Sequence, residues 1–247
     1  MRISLKNKTY KGLSDGTSLT DDRCKQILAV YELTQSLGKK MMNYKDLQQE
    51  VASSNLFGGQ TIGESAVRTI FPLLSKIGFV DYSGQFYACD LFTNMGVVFI
   101  ETYSALYLNE DFSNVKLQEE LEYCLSLIQQ CGLLIMNEQE SYKEHGFWLA
   151  CSILKEEKEI YWPEFLYLLY LTKEQNLSLK EALSIAKDNR NKGVSYEYYN
   201  SDNKAIANTS FSYIHAYLTE AGLIRDKDQK CSILISTKMP FIEKLIL

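Results

Sequence analysis

The stretch Val67-Arg-Thr-Ile-Phe-Pro-Leu-Leu-Ser-Lys-Ile-Gly-Phe-Val80 returns in outline 144 residues later as Phe211-Ser-Tyr-Ile-His-Ala-Tyr-Leu-Thr-Glu-Ala-Gly-Leu-Ile224. Ile70 falls on Ile214, Leu74 on Leu218 and Gly78 on Gly222. Continued without gaps to Thr93 and Thr237, the alignment adds Gln85 on Gln229 and reaches five identities in 27 positions. The count is low, so the placement carries the argument: the identities fall on a helix face, a helix stop and a following hairpin.

Each copy has the same physical sense. Val67, Ile70, Leu74 and Ile77 recur at helical spacing, as do Phe211, Ile214, Leu218 and Ala221. Gly78 and Gly222 suit the left-handed position that closes a helix. A short apolar pair follows, Phe79-Val80 or Leu223-Ile224, then a polar turn, Tyr82–Gln85 or Asp226–Gln229. A second strand returns over Phe86–Phe92 or Cys231–Ile235. This is the order of a recognition helix and its wing.

Working upstream, Thr20-Asp21-Asp22 can cap a helix carrying Ile27, Val30, Tyr31, Thr34 and Leu37, with Gly38 as its stop. Tyr44–Val51 reads as a short second helix, and Thr61-Ile-Gly-Glu64 as a capping box for the third. Pro72 lies inside that third helix and should kink it. In the second copy Trp162–Lys173 reads as helix one and Leu179–Lys187 as helix two. A polar stretch over 191–208, bearing Tyr196, Tyr198 and Tyr199, is long for a loop and should pack against something. Between the repeats, Gly96–Leu108, Val115–Met136 and Phe147–Lys158 read as helices. Cys124 and Cys131 share a face with Leu117, Leu121 and Ile128, read as core packing.

The expected fold is therefore mainly α with small β-wings: two winged-helix units separated by a helical insert. The expected divisions are a basic arm over 1–19, a first unit over 20–93, a central helical segment over 94–158 and a second unit over 159–247.

Six cysteines form no Cys-x-x-Cys pair, no secretory leader precedes the first helix and no apolar run spans a bilayer, which predicts a reduced, cytoplasmic protein without membrane contact. The net charge of −5 is concentrated at 113–158, with 4 basic and 8 acidic residues against 11 and 12 before it and 11 and 11 after it. A dedicated DNA binder usually shows a basic face; here the basic groups are local.

Catalytic patterns are sparse. Gly58–Ser65 resembles a phosphate loop, but Glu64 stands where a lysine would bind phosphate, so nucleotide is not expected. His145 and His215 sit in no metal-ligand spacing. Glu156-Glu-Lys158 reads as a solvated helix face. The sequence predicts no cofactor, no metal and no enzyme.

Candidate DNA contacts are Arg2, Lys6, Lys8 and Lys11 on the arm, Arg68 and Lys76 on the first recognition helix, and Arg225, Lys227 and Lys230 on the second wing. The second recognition helix carries no Lys or Arg, and Glu220 would repel phosphate. Tyr213 and Tyr217, with Tyr196, Tyr198 and Tyr199, are the candidate docking residues for a protein partner.

This order of elements resembles tandem winged-helix proteins, in particular the kleisin-interacting tandem winged-helix elements, acidic accessory subunits that accompany SMC-type ATPases. The resemblance implies a non-catalytic accessory subunit of a bacterial DNA-maintenance or antiviral defence complex. It further implies a protein partner such as an SMC-type ATPase, with double-stranded DNA or a second copy as further partners. It carries over no site residue. The alternative is a sequence-specific DNA reader: a replication initiator, a transcription regulator or a restriction-type recognition module.

Overall fold

The structure, a computed structural model, describes residues 1–6, 19–54, 56, 60–107, 114–206 and 211–246; at 60–64 and 140 it describes the backbone only. It is mainly helical with three small sheets among the described residues. The chain divides into two compact units: 16–136, and a second formed by 1–15 with 137–247. The central segment expected at 94–158 thus falls on both sides of one boundary.

The chain starts with strand β1 (Arg2–Ser4), which belongs to the second unit. In the first unit, α1 (Asp21–Leu37) is followed by β2 (Met41–Met42). Thr20 precedes α1 without a side-chain cap. Gly38 ends the helix at φ 56°, ψ −128°, a conformation closed to residues with a Cβ. Helix α2 (Tyr44–Ser53) opens on a full capping box, Asn43 with Asp46. Helix α3 (Gln60–Lys76) packs beside α2 and keeps Pro72 within it. It begins before Thr61, so the expected cap at Thr61 is already inside the helix.

A glycine turn at Gly78, φ 74°, leads to a hairpin-like return. Val80 bridges Phe92, and β3 (Phe86–Tyr87) pairs antiparallel with β2, Met41 opposite Tyr87. Helices α4 (Asn94–Tyr107) and α5 (Val115–Asn137) follow, and α4 lies against α1. Leu47, Leu73, Leu74, Ile77, Leu91 and Leu133 are fully buried in this unit.

Cys124 and Cys131, expected in the core, are exposed. Helix α5 turns a different face inward, that of Leu125, Gln129, Leu133 and Met136. All six cysteines are free thiols.

The second unit runs α6 (Gly146–Glu157), β4 (Glu159–Tyr161), α7 (Phe165–Lys173), α8 (Leu179–Asn191), then β5 (Glu197–Tyr199) and β6 (Ala205–Ile206). It continues with α9 (Ser212–Glu220), β7 (Ile224–Asp226), β8 (Cys231–Leu234) and α10 (Met239–Leu245). Ser178 and Glu181 form the capping box of α8. Strand β8 is central in its sheet, with β7 on one side and β4 on the other. The sequence reading set Trp162–Lys173 and Leu179–Lys187 as the first two helices of this unit; the structure places α6 before β4, and α8 with the β5–β6 hairpin between α7 and α9.

Backbone details recur between the two units. Lys158 ends α6 at φ 64°, standing 120 residues beyond Gly38. Met41 pairs Tyr87 as Tyr161 pairs Cys231. From α3 onward the offset becomes 144. There Phe79 N donates to Leu74 O at 2.7 Å and Leu223 N to Leu218 O at 3.0 Å, and Gly78 and Gly222 repeat the same bond to Ser75 and Thr219.

The long polar stretch packs as expected for its tyrosines. Strand β5 pairs with β6 antiparallel and with β1 in parallel, Ile3 opposite Tyr198. The expected basic arm therefore begins as a structural strand.

Candidate partner-binding site

At the joint between α9 and the β7–β8 turn lies a cleft of about 280 Å³. Its lining combines Trp162, Phe211 and Pro163 with Ser212, His215, Asp226, Asp228 and Gln229. Trp162 follows β4 and stacks on Phe211 at 5.4 Å and 12°; His215 meets the Trp162 ring edge-on at 5.1 Å. The indole N–H donates to Ser232 Oγ at 2.8 Å, and Ser232 donates to Asp226 Oδ1 at 2.7 Å. His215 Nε2 lies 2.7 Å from the same oxygen. His215, then Ser232, hold the Asp226 carboxyl below the usual carboxylate range.

Serine, histidine and aspartate thus meet, but not as a catalytic relay. Ser232 is fully buried and spends its proton on the carboxylate rather than facing the imidazole. The chain of bonds joins α9 to the β7–β8 hairpin.

A second cleft, of about 430 Å³, shares Pro163 and is lined by Tyr161, Glu164, Arg190, Tyr196 and Lys230 among others. Glu164 is 3% exposed and takes a two-pronged bond from Arg190, Nε at 3.0 Å and Nη2 at 2.9 Å. Burial pushes the Glu164 carboxyl up, with Arg190 opposing it. Arg190 also lies 4.4 Å over the Tyr161 ring.

Of the expected docking tyrosines, Tyr198, Tyr213 and Tyr217 are buried, and Tyr196 and Tyr199 are half-buried. Tyr217 is 0% exposed and meets Phe147 edge-on, and Tyr213 is 7% exposed. Tyr196 stacks on Tyr167 at 4.5 Å, and Tyr198 is buried. Tyr199 carries the Arg2 guanidinium at 4.1 Å. Helix α9 is short and apolar on most of its circumference, which buries Tyr213 and Tyr217; its exposed residues are Ser212 and Thr219.

The basic candidates scatter. Arg2 is held by Tyr199 and by Asn203 Oδ1 at 2.5 Å. Lys6 is exposed, its backbone N–H bonded to Glu174. Lys8 and Lys11 lie outside the described residues. Arg68 is exposed on α3, and Lys76 is half-buried at its end. On the β7–β8 hairpin Lys227 pairs with Glu159 at 3.3 Å, while Arg225 and Lys230 are exposed. Glu220, expected to face phosphate, has its Oε2 buried without a hydrogen-bond partner among the described residues; burial pushes it up to about 7.

The phosphate-loop-like stretch starts outside the described residues and enters α3 at Gln60. Among the described residues no group of three or more His, Cys, Asp or Glu is placed to hold a metal, and no helix is long and apolar enough to cross a membrane.

Sequence reasoning weighed His215 only as a metal ligand, placed Arg190 only in a loose basic cluster, and gave Trp162, Glu164 and Asp226 no site role. The repeat contained a signal for two of them: Phe71 and Tyr82 lie 144 residues before His215 and Asp226 and meet as rings at 6.4 Å. Comparison with protein-family models, curated proteins and solved structures finds no match to this chain.

Proposed function

We propose that both units are winged helices and that the chain is a non-catalytic binding protein, an accessory subunit that docks a partner protein through its second unit. The setting proposed is a bacterial SMC-type DNA-maintenance or antiviral defence complex. The two offsets support the architecture: one order of helix, strand, helix, helix and wing occurs twice, with α8 and the β5–β6 hairpin inserted in the second.

One observation carries the docking role. In the first unit Tyr44, Phe71 and Tyr82 fill the helix–wing joint, Tyr44 stacking on Tyr82 at 4.7 Å. In the second unit that joint is an open cleft with an aromatic floor, two rim carboxylates and, among the described residues, no Lys or Arg in its lining. Such a lining repels phosphate and suits a cationic side chain of a protein partner seated over Trp162 and Phe211.

The test introduces Ser212→Arg with Gln229→Arg, two exposed lining positions, into the full chain. Affinity purification from the native host should recover an ATPase subunit with the parent chain and lose it with the variant. Unchanged recovery with the variant overturns the docking role.

DNA reading is the second proposal, favoured by the exposed Arg68, Arg225 and Lys230. If it holds, Lys230→Ala should flatten the dependence of log affinity on log salt by about one. Absence of salt-dependent binding by the parent chain excludes it.

A further inference from the structure

The second cleft, of about 430 Å³, has no part in the docking role, and what it offers follows from how Arg190 is held. The guanidinium gives its Nε and Nη2 donors to the Glu164 carboxylate, at 3.0 and 2.9 Å. One flat face lies on the Tyr161 ring. The Glu164 side chain is 4% exposed and that of Arg190 35%. The edge bound to Glu164 therefore points inward, and the opposite edge meets the cleft. That edge carries both hydrogens of Nη1 and the second hydrogen of Nη2, which make a second fork. Nη1 gives no hydrogen bond among the described residues.

Lys230 brings a second cation to the same lining. Its backbone is fixed at the rim: its N–H donates to Asp228 Oδ1 at 2.7 Å, and its carbonyl accepts from the Trp162 N–H at 2.9 Å. Its side chain is exposed and makes no ion pair among the described residues. The lining thus sets two cations against one carboxylate.

We propose that this cleft binds a small acid, its carboxylate taken by the free edge of Arg190 and by Lys230, its apolar body resting against Pro163, Val194 and Tyr196. The class of ligand follows from the lining. A guanidinium fork matches the two oxygens of a planar carboxylate. One surplus positive charge balances one negative charge, whereas a phosphate dianion would set excess negative charge beside Glu164. The Tyr196 wall is held by stacking on Tyr167 at 4.5 Å. The volume falls within the range of small-molecule sites, about 300–1,000 Å³.

Glu164 has two opposed effects on such a ligand. It fixes the guanidinium in place, and its charge competes for the same cation. Exchanging it for glutamine keeps an acceptor for Arg190 and removes the competing charge.

The test titrates the full chain with sodium benzoate and reads the guanidinium NMR resonance of Arg190. Sodium chloride at matched ionic strength is the control. Benzoate should shift the resonance saturably and chloride should not. Lys230→Glu should weaken benzoate by about fivefold, the upper range for an exposed ion pair. Glu164→Gln should strengthen it. Inorganic phosphate and a capped tripeptide with a central glutamate should both bind more weakly than benzoate. No saturable shift overturns the proposal, as does an equal shift with chloride or an affinity that Lys230→Glu leaves unchanged. Weaker binding by a Glu164→Gln chain with the parent circular dichroism spectrum overturns it too. Tighter phosphate overturns the carboxylate, and a tighter tripeptide overturns the small acid. Lys230 lies exposed on a turn, so its variant decides even if Glu164→Gln fails to fold. No partner protein enters these measurements, so their failure leaves the docking role standing.

Discussion

His215 Nε2 and Asp226 Oδ1 lie 2.7 Å apart and join α9 to the β7–β8 hairpin, where the first unit uses the rings of Phe71 and Tyr82. The same joint is made twice, once by apolar contact and once by polar contact. An apolar joint excludes water and closes, whereas a polar joint tolerates a wet, open cleft beside it.

Replacing Asp226 by alanine removes the acceptor of both His215 and Ser232. The Asp226 side chain is 55% exposed, so solvent screening limits the loss to about 0.5–1 kcal/mol at neutral pH. The sign with pH follows from the lowered carboxyl. Its contribution is complete above the ordinary value of 3.8 and is lost as pH falls through the lower folded value. Urea unfolding of parent and Asp226→Ala should differ at neutral pH and converge in strong acid.

Arg190→Ala leaves the Glu164 carboxylate buried without its counter-ion. Breaking such a pair costs about 2–3 kcal/mol here, below the usual range for buried pairs because the Arg190 side chain is itself 35% exposed. Burial already raises the Glu164 carboxyl, and loss of Arg190 raises it further. A raised acid favours the folded state at low pH and disfavours it as pH rises through the folded value. The variant should regain part of its stability on mild acidification in denaturant titrations, and adding Glu164→Gln should restore part of it at neutral pH.

Gly96 starts the inward face of α4 against the backbone of Phe79. A Cβ built there would stand 2.1 Å from the Phe79 carbonyl oxygen, which has no rotamer by which to retreat. Gly96→Ala should therefore cost about 3 kcal/mol through displacement of α4. Gly84, in the first wing at φ 72°, has nothing within 4 Å of such a Cβ. Gly84→Ala should cost only the left-handed backbone strain, about 1 kcal/mol. Thermal unfolding of the two variants separates packing from conformational cost.

The helices and the third-helix-to-wing passage were legible because periodicity and the closing glycines are local signals. Helix boundaries at 94–107, 115–137 and 146–157 fall within two residues of those read from the apolar spacing. The wing-bound strands Met41–Met42 and Glu159–Tyr161 were not legible, since two or three residues show no alternation and only pairing defines them. Lys158 ends its helix in the left-handed α conformation at φ 64°, ψ −1°, without the glycine that marks the stop at Gly38.

Tyr217 illustrates why the candidate site was misplaced. A tyrosine on a short helix satisfies either a docking face or a core, and the sequence contains no measure of what packs above it. Its 0% exposure decides for the core. The residues that line the cleft come from segments separated by up to 67 positions, Trp162 to Gln229, so their convergence follows from the β4–β8 pairing alone.

The parallel pairing of Arg2–Ser4 with Glu197–Tyr199 has a consequence for biosynthesis. Strand β1 leaves the ribosome long before the strand it binds, and the whole of 16–136 is translated in between. The intervening unit has every residue it needs while its host is still incomplete. The host then closes last, by a contact of very high sequence separation, the slowest kind to find. Until Tyr199 is made, Ile3 and Leu5, which end fully covered, remain open to whatever meets the nascent chain.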